Sequence, residues 1–188
     1  LQMSERPMYK VVIGAAQHSC ANGTLCGDSY ECFNDGTGRY IAMISDGMGT
    51  GGRAAVDGAM ASGIMSTLIK AGVGFDCALK IANSALMVKS GEETLSTLDV
   101  ASVNLFDGKL ELMKAGAPIS FVRKKGEVQR LDAVSLPVGI LEEAIFSRVS
   151  TQVEDGDFVG MFSDGVIASG EGWVAETLED WTDGDPKE

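Results

Sequence analysis

The chain has 188 residues, 27 acidic against 15 basic, for a formal net charge of −12, with 45% hydrophobic and 6% aromatic side chains. That length suffices for one domain, residues 1–188, with a buried core, and the acidic balance argues against nucleic-acid or anionic-membrane partners, which require basic surface. No apolar run approaches the roughly 20 residues of a membrane-spanning helix and no signal peptide is visible, so a cytoplasmic domain is expected.

In chain order, residues 9–16 read as a first strand, and residues 18–25 as a polar turn. Residues 26–33 read as a second strand with Asp28 near its start. Asn34-Asp35-Gly36-Thr37-Gly38 is a hairpin turn of residue types that tolerate positive φ. The strand that follows, Tyr40 and Ile41 at its start, is short, apolar and buried, and it delivers Asp46 before the chain dissolves into glycine. Antiparallel return places Asp46 beside Asp28.

From residue 52 to 71 the pattern turns helical, with Met60, Ile64 and Leu68 on one face and Ala59, Gly63 and Thr67 beside them. The small residues imply close packing against a neighbour. Gly72-Val73-Gly74 breaks the helix, and Asp76 is the expected N-cap of a second one that turns Leu79, Ala82 and Leu86 inward until Ser90-Gly91. Met60, Met65 and Met87 read as core filler. Two hairpins follow, 96–106 with 109–115 and 119–123 with 127–131, and then a Leu136-Pro137-Val138-Gly139 loop. Residues 144–153 alternate weakly, residues 157–163 form a second apolar strand ending in Ser163-Asp164-Gly165, and a helix begins near Trp173. Strands, two helices, many antiparallel strands, then a helix: this is an α+β order, two stacked sheets with helices outside.

Two buried strands that each present an Asp at the end would be costly as unpaired neighbours in a low dielectric. A shared hard cation with oxygen ligands (Mg, Mn or Ca) removes that cost. Other readings fare worse. Gly47-Met48-Gly49-Thr50-Gly51-Gly52 matches a dinucleotide-binding fingerprint, but a second helix follows the first where a parallel strand should be, and Asp46 would repel a pyrophosphate. No Gly-Lys-Ser/Thr follows, so the phosphate-binding P-loop fails too. His18, Cys20, Cys26 and Cys32 lack the close ligand pairs of a zinc site, and these cysteines with Cys77 read as free thiols of a reducing compartment. Asp-Gly also occurs at Asp35, Asp57, Asp107, Asp155 and Asp183, most of which read as turn chemistry.

Gly27-Asp28-Ser29-Tyr30, Ser45-Asp46-Gly47-Met48-Gly49, Ser96-Thr97-Leu98-Asp99, Leu136-Pro137-Val138-Gly139 and Ser163-Asp164-Gly165, in this order, resemble the metal-dependent (PPM, type 2C) protein phosphatases. Within them the chain is similar to the stage II sporulation protein E branch, from about residue 9 to 181. The resemblance implies α-β-β-α layers around an antiparallel β-sandwich, and two Mn²⁺ or Mg²⁺ ions at one edge. It implies that Asp46 bridges both ions, that Asp28 and the Gly47 carbonyl complete one set of ligands, and that Asp164 holds the other ion. The implied reaction is hydrolysis of phosphoserine or phosphothreonine on a protein, in sporulation or sigma-factor signalling, with a phosphorylated anti-sigma-factor antagonist as partner. Helices 52–90 are implied as a switch and as a homodimer contact, in a parent protein with membrane-anchoring segments elsewhere. The chain departs from the family in two ways. It stops at Glu188, short of the family's last helix and strand, so a C-terminally truncated domain with an incomplete Asp164 site is expected. Residues 17–25 also hold no arginine to grip phosphate. Asp99 is expected to serve as a hydrogen-bonding strand residue. The rival reading is a non-catalytic module of the same fold that binds partners or dimerises.

Overall fold

The structure, a computed structural model, describes residues 6–19, 25–49, 51–89 and 94–181. Strands β1 (Asp28–Asn34) and β2 (Arg39–Gly47) form the expected hairpin. Its turn is closed by Asp35, whose carboxylate accepts the amides of Thr37 and Arg39 at 2.8 and 3.1 Å. Helices α1 (Gly51–Lys70) and α2 (Phe75–Lys89) follow. Strands β3 (Ser96–Asn104), β4 (Lys109–Ala115), β5 (Ser120–Lys124), β6 (Glu127–Leu131), β7 (Ser147–Gln152) and β8 (Phe158–Gly160) then lead to the short α3 (Asp164–Ile167) and to α4 (Gly172–Asp180).

One antiparallel sheet has the order β1-β2-β3-β4-β7 and the other β6-β5-β8. Strand alternation assigns the faces. Ile41, Met43, Leu98, Val100 and Met113 point outward and pack with Ala61, Met65, Ile69, Leu79 and Leu86 of α1 and α2. Their neighbours Ala101, Leu110 and Leu112 point inward to meet Val122 of β5, forming the core between the sheets. On the far side Ile119 and Phe121 meet Val174 and Leu178 of α4. The layers are therefore helices, sheet, sheet, helix, the α+β sandwich read from the hairpin order.

Several local expectations are corrected. Residues 9–16 do not form a strand. Val11 and Ile13 are half-buried between exposed neighbours, but the amides of Met8 and Tyr9 both donate to one acceptor, the Leu105 carbonyl, at 2.9 and 3.0 Å. One shared acceptor makes no ladder. On α1 the fully buried stripe is Ala54, Asp57, Gly58, Ala61, Ser62, Met65, Ser66 and Ile69, while Met60, Ile64 and Leu68 pack partly buried beside it. Small side chains win the inner face because they let the helix axis come closer to the sheet.

Asp76 lies inside the first turn of α2, whose entry is set by Gly74, the carbonyl of which accepts the Ala78 amide. Met87 is 38% exposed and is not core filler. Strand β8 is shorter than 157–163, because its partner β5 begins at Ser120 and the last pair, Phe121 with Gly160, exhausts the ladder. The expected end of α2 at Ser90-Gly91 lies outside the described residues, as do Cys20, Asp183 and Asp185.

Candidate metal centre

The hairpin register sets Asp28 directly opposite Asp46 at the open end of the β1–β2 ladder. Both side chains share the face turned toward the second sheet, by the same alternation that points Ile41 and Met43 the other way. Strand β3 fixes the Asp46 backbone. The Asp46 amide donates to Thr97 Oγ1 at 3.2 Å, and Ser96 Oγ donates to the Asp46 carbonyl at 3.0 Å. Ser45, wholly buried, shares a 2.8 Å hydrogen bond with Ser96. The main chain is thus held and the carboxyl alone faces the opening.

The third carboxylate arrives from the other sheet. After β8 ends, residues 161–163 carry the chain back over the sandwich edge, and Asp164 opens α3. Ser163 Oγ donates to Asp28 Oδ2 at 3.0 Å across the gap between sheets. Asp46 meets both Asp28 and Asp164 at hydrogen-bonding range, and burial first, then these two carboxyl neighbours, push its pKa from 3.8 up to about 7. Crowded like charges in a half-buried pocket account for the direction.

Glycine makes room for α1 on top of this end. A Cβ at Gly47 would overlap the Ala54 carbonyl, and one at Gly58 would stand 2.5 Å from the Gly27 carbonyl oxygen. A Cβ at Gly27 would lie 3.2 Å from the Gly47 carbonyl oxygen and 3.5 Å from Asp46 Oδ1, so that carbonyl and that carboxylate border the same spot. The glycine-rich stretch therefore serves close packing as well as bending.

Three carboxylates and a backbone carbonyl are the oxygen donors a hard divalent cation takes. Among the described residues no group of three or more His, Cys, Asp or Glu side chains is spaced as a finished metal cage. The carboxyls lean on one another instead, the contact a cation would replace. The donor chemistry and the convergence fit such an ion. A thiol site gains no support: Cys26, Cys32 and Cys77 are free, and burial followed by Glu31 raises the Cys32 thiol pKa, away from the thiolate a metal requires. Asp99 stands apart from the centre, hydrogen-bonded within the sandwich to Lys114 and Ser120. Sequence reasoning missed Ser163, Ser96 and Thr97. The serine of each Ser-Asp-Gly was the available signal, since Ser45 and Ser163 both tie their Asp-bearing segments to a neighbour.

Residues 36–182 match the family model of stage II sporulation protein E (SpoIIE). The chain belongs to the SpoIIE family. The stage II sporulation protein E of Bacillus subtilis (strain 168) is 32% identical over 186 residues, which are 96% of this chain and 22% of that protein. This chain therefore spans less than a quarter of that relative's length. A solved structure of the PP2C phosphatase domain and a fragment of the regulatory domain of the cell fate determinant SpoIIE from Bacillus subtilis has a TM-score of 0.86 at 31% identity, covering 96% of this chain and 54% of that one. RsbX in complex with magnesium shares the fold, with a TM-score of 0.64 at 18% identity over 89% of this chain and 85% of that one. The antiparallel sheets flanked by helices are those of the PP2C-type, or PPM, serine/threonine phosphatases.

Proposed function

We propose that this chain is a metal-dependent protein serine/threonine phosphatase domain that hydrolyses phosphoserine or phosphothreonine on a protein. The observation that carries the reading is the meeting of Asp46 with Asp28 from its own sheet and Asp164 from the other. Asp46 would bridge two Mn²⁺ or Mg²⁺ ions, with Asp28 and the Gly47 carbonyl holding one and Asp164 the other. Ions bound there would lower the pKa of a water and offset charge on the transferring phosphoryl oxygens. The chain's own part is to place donors. Thr97 and Ser96 hold the Asp46 backbone still, Ser163 orients the Asp28 carboxylate, and the glycines at 27, 47 and 58 seat α1 on the strand ends.

Membership of the SpoIIE family supports a role in sporulation or sigma-factor signalling, with a phosphorylated anti-sigma-factor antagonist as substrate. The contact of α1 with Gly27 and Gly47 supports helices 52–90 as a switch that acts on the centre, and the family likeness adds a homodimer contact through the same helices. No helix of the described residues is long and apolar enough to cross a membrane.

The test is Mn²⁺-dependent phosphate release from a phosphoserine protein or p-nitrophenyl phosphate, compared with a chelated control. Asp46→Ala is expected to reduce release to background while leaving the fold intact. A second reading is a partner-binding module of the same fold. That reading predicts no metal-dependent release from the unaltered chain and unchanged partner binding in Asp46→Ala.

A further inference from the structure

The candidate centre is split between two sheets. Asp28 and Asp46 lie on strands of one, and Asp164 opens α3 four residues after the end of β8 in the other, so the relative placement of the sheets sets the distance between the donors. Most of the inter-sheet space is aliphatic: Ala101, Leu110, Leu112, Val122 and Val153. Aliphatic contacts resist separation but tolerate sliding, because they are not directional. A buried ion pair interrupts them. Lys114 of β4 is completely buried and faces Asp99, its partner across the β3–β4 ladder.

Each of the three ammonium protons has an acceptor. Lys114 Nζ lies 2.6 Å from Asp99 Oδ2, 2.7 Å from Ser120 Oγ and 2.6 Å from the Pro118 carbonyl. Ser120 Oγ closes the triangle by donating to Asp99 Oδ2 at 2.8 Å. Asp99 and Lys114 belong to the first sheet, whereas Ser120 opens β5 in the second, so the two bonds to Ser120 cross between sheets. The links continue to the centre on both sides. Asp99 lies two residues along β3 from Thr97, which accepts the Asp46 amide. Ser120 precedes Phe121, which pairs with Gly160 of β8, and the chain from Gly160 delivers Ser163 and Asp164.

We propose that Lys114 and Asp99, with Ser120, form a clamp of positioning residues that holds the second sheet, and through it Asp164, in register with Asp28 and Asp46. A buried ion pair is a poor choice for stability alone, since well-packed apolar residues of similar volume often serve as well or better. This one also leaves Asp99 Oδ1 without a hydrogen-bond partner among the described residues. Directional bonds between sheets are what the pair supplies and aliphatic contacts do not. The clamp rests on the metal-centre reading for its chemical consequence and not for its geometry.

Two variants test it: the apolar pair Asp99→Leu/Lys114→Met, and Ser120→Ala, which cuts the cross-sheet hydroxyl and leaves the ion pair in place. Both are expected to fold, the apolar pair with an unfolding midpoint equal to or above that of the unaltered chain. Crystal structures should show the Ser163–Asp28 contact opened beyond hydrogen-bonding distance. The Mn²⁺ dissociation constant, read from free Mn²⁺ by electron paramagnetic resonance, should rise about 10-fold or more in the apolar pair. If the apolar pair fails to fold, Ser120→Ala decides by the same two readouts. Retention of the Ser163–Asp28 contact together with unaltered Mn²⁺ affinity in a folded variant overturns the clamp. Should the unaltered chain bind no Mn²⁺, the metal-centre reading falls, and the crystallographic contact alone decides the clamp.

Discussion

Asp46 combines a held backbone with a crowded carboxyl, and its protonation should be visible in stability. A carboxyl whose folded pKa exceeds its unfolded value binds more protons folded than unfolded, so stability falls as pH rises between the two. For Asp46 the window runs from 3.8 to about 7. Asp35 has the opposite sign. Burial alone would raise its pKa, but hydrogen bonds from Thr37 and Arg39 and the Arg39 charge hold it below 3.8, so its contribution is lost only in stronger acid. With divalent ions chelated, the urea midpoint should therefore decline from about pH 5 to about pH 7, and Asp46→Asn should flatten that slope. An equal slope in the variant would assign the decline elsewhere.

Gly47→Ala carries a different expectation, because its Cβ would collide with the Ala54 carbonyl. Displacing the start of α1 should cost about 1–3 kcal/mol, as overpacking does, measured by urea denaturation. At this scale Asp46 and Asp164 were legible because each ends an apolar run before glycine, and Asp28 because the hairpin returns Asp46 to its side. Thr97, Ser163 and Lys114 were not, because their roles depend on partners far away in sequence.

Among the elements, α2 is tied to the connection before β7 by one buried side chain. Asn83 Nδ2 donates to the Leu141 carbonyl at 2.8 Å and the Glu142 carbonyl at 3.3 Å, and its Oδ1 accepts the Gly139 amide at 2.7 Å. Asn83→Ala would orphan these backbone groups, at a cost of about 2 kcal/mol. The connection should then be cut faster by protease between residues 139 and 142, with little change elsewhere. Equal cutting rates would show that β7 and the isolated Ser96–Val138 bridge hold the loop without Asn83. Helix and hairpin existence were legible here, because glycine breaks and apolar periods are local signals. The inner face of α1 and the fate of residues 9–16 were not. The first depends on how closely a helix can approach Gly27, just before β1, and Gly47 on β2, and the second on whether a strand finds a ladder.

The order of hairpins and helices was enough to read the whole molecule as a layered sandwich, since short antiparallel connections leave few arrangements. What the order does not reveal is that the candidate centre bridges both sheets, and that has a thermodynamic consequence. A cation held by Asp46 on one sheet and by Asp164, just past the last strand of the other, would bind the folded sandwich and not the unfolded chain, whose donors are far apart. Linkage then raises stability with ligand concentration, by about 2.7 kcal/mol at 100 times the dissociation constant. Mn²⁺ should accordingly raise the unfolding midpoint in a concentration-dependent way. Asp164→Asn should remove much of that rise even though Asp28 and Asp46 still face each other across one hairpin. If Mn²⁺ stabilised the variant as strongly as the unaltered chain, the ion would be held by the first sheet alone, and the second sheet would play no part in holding it.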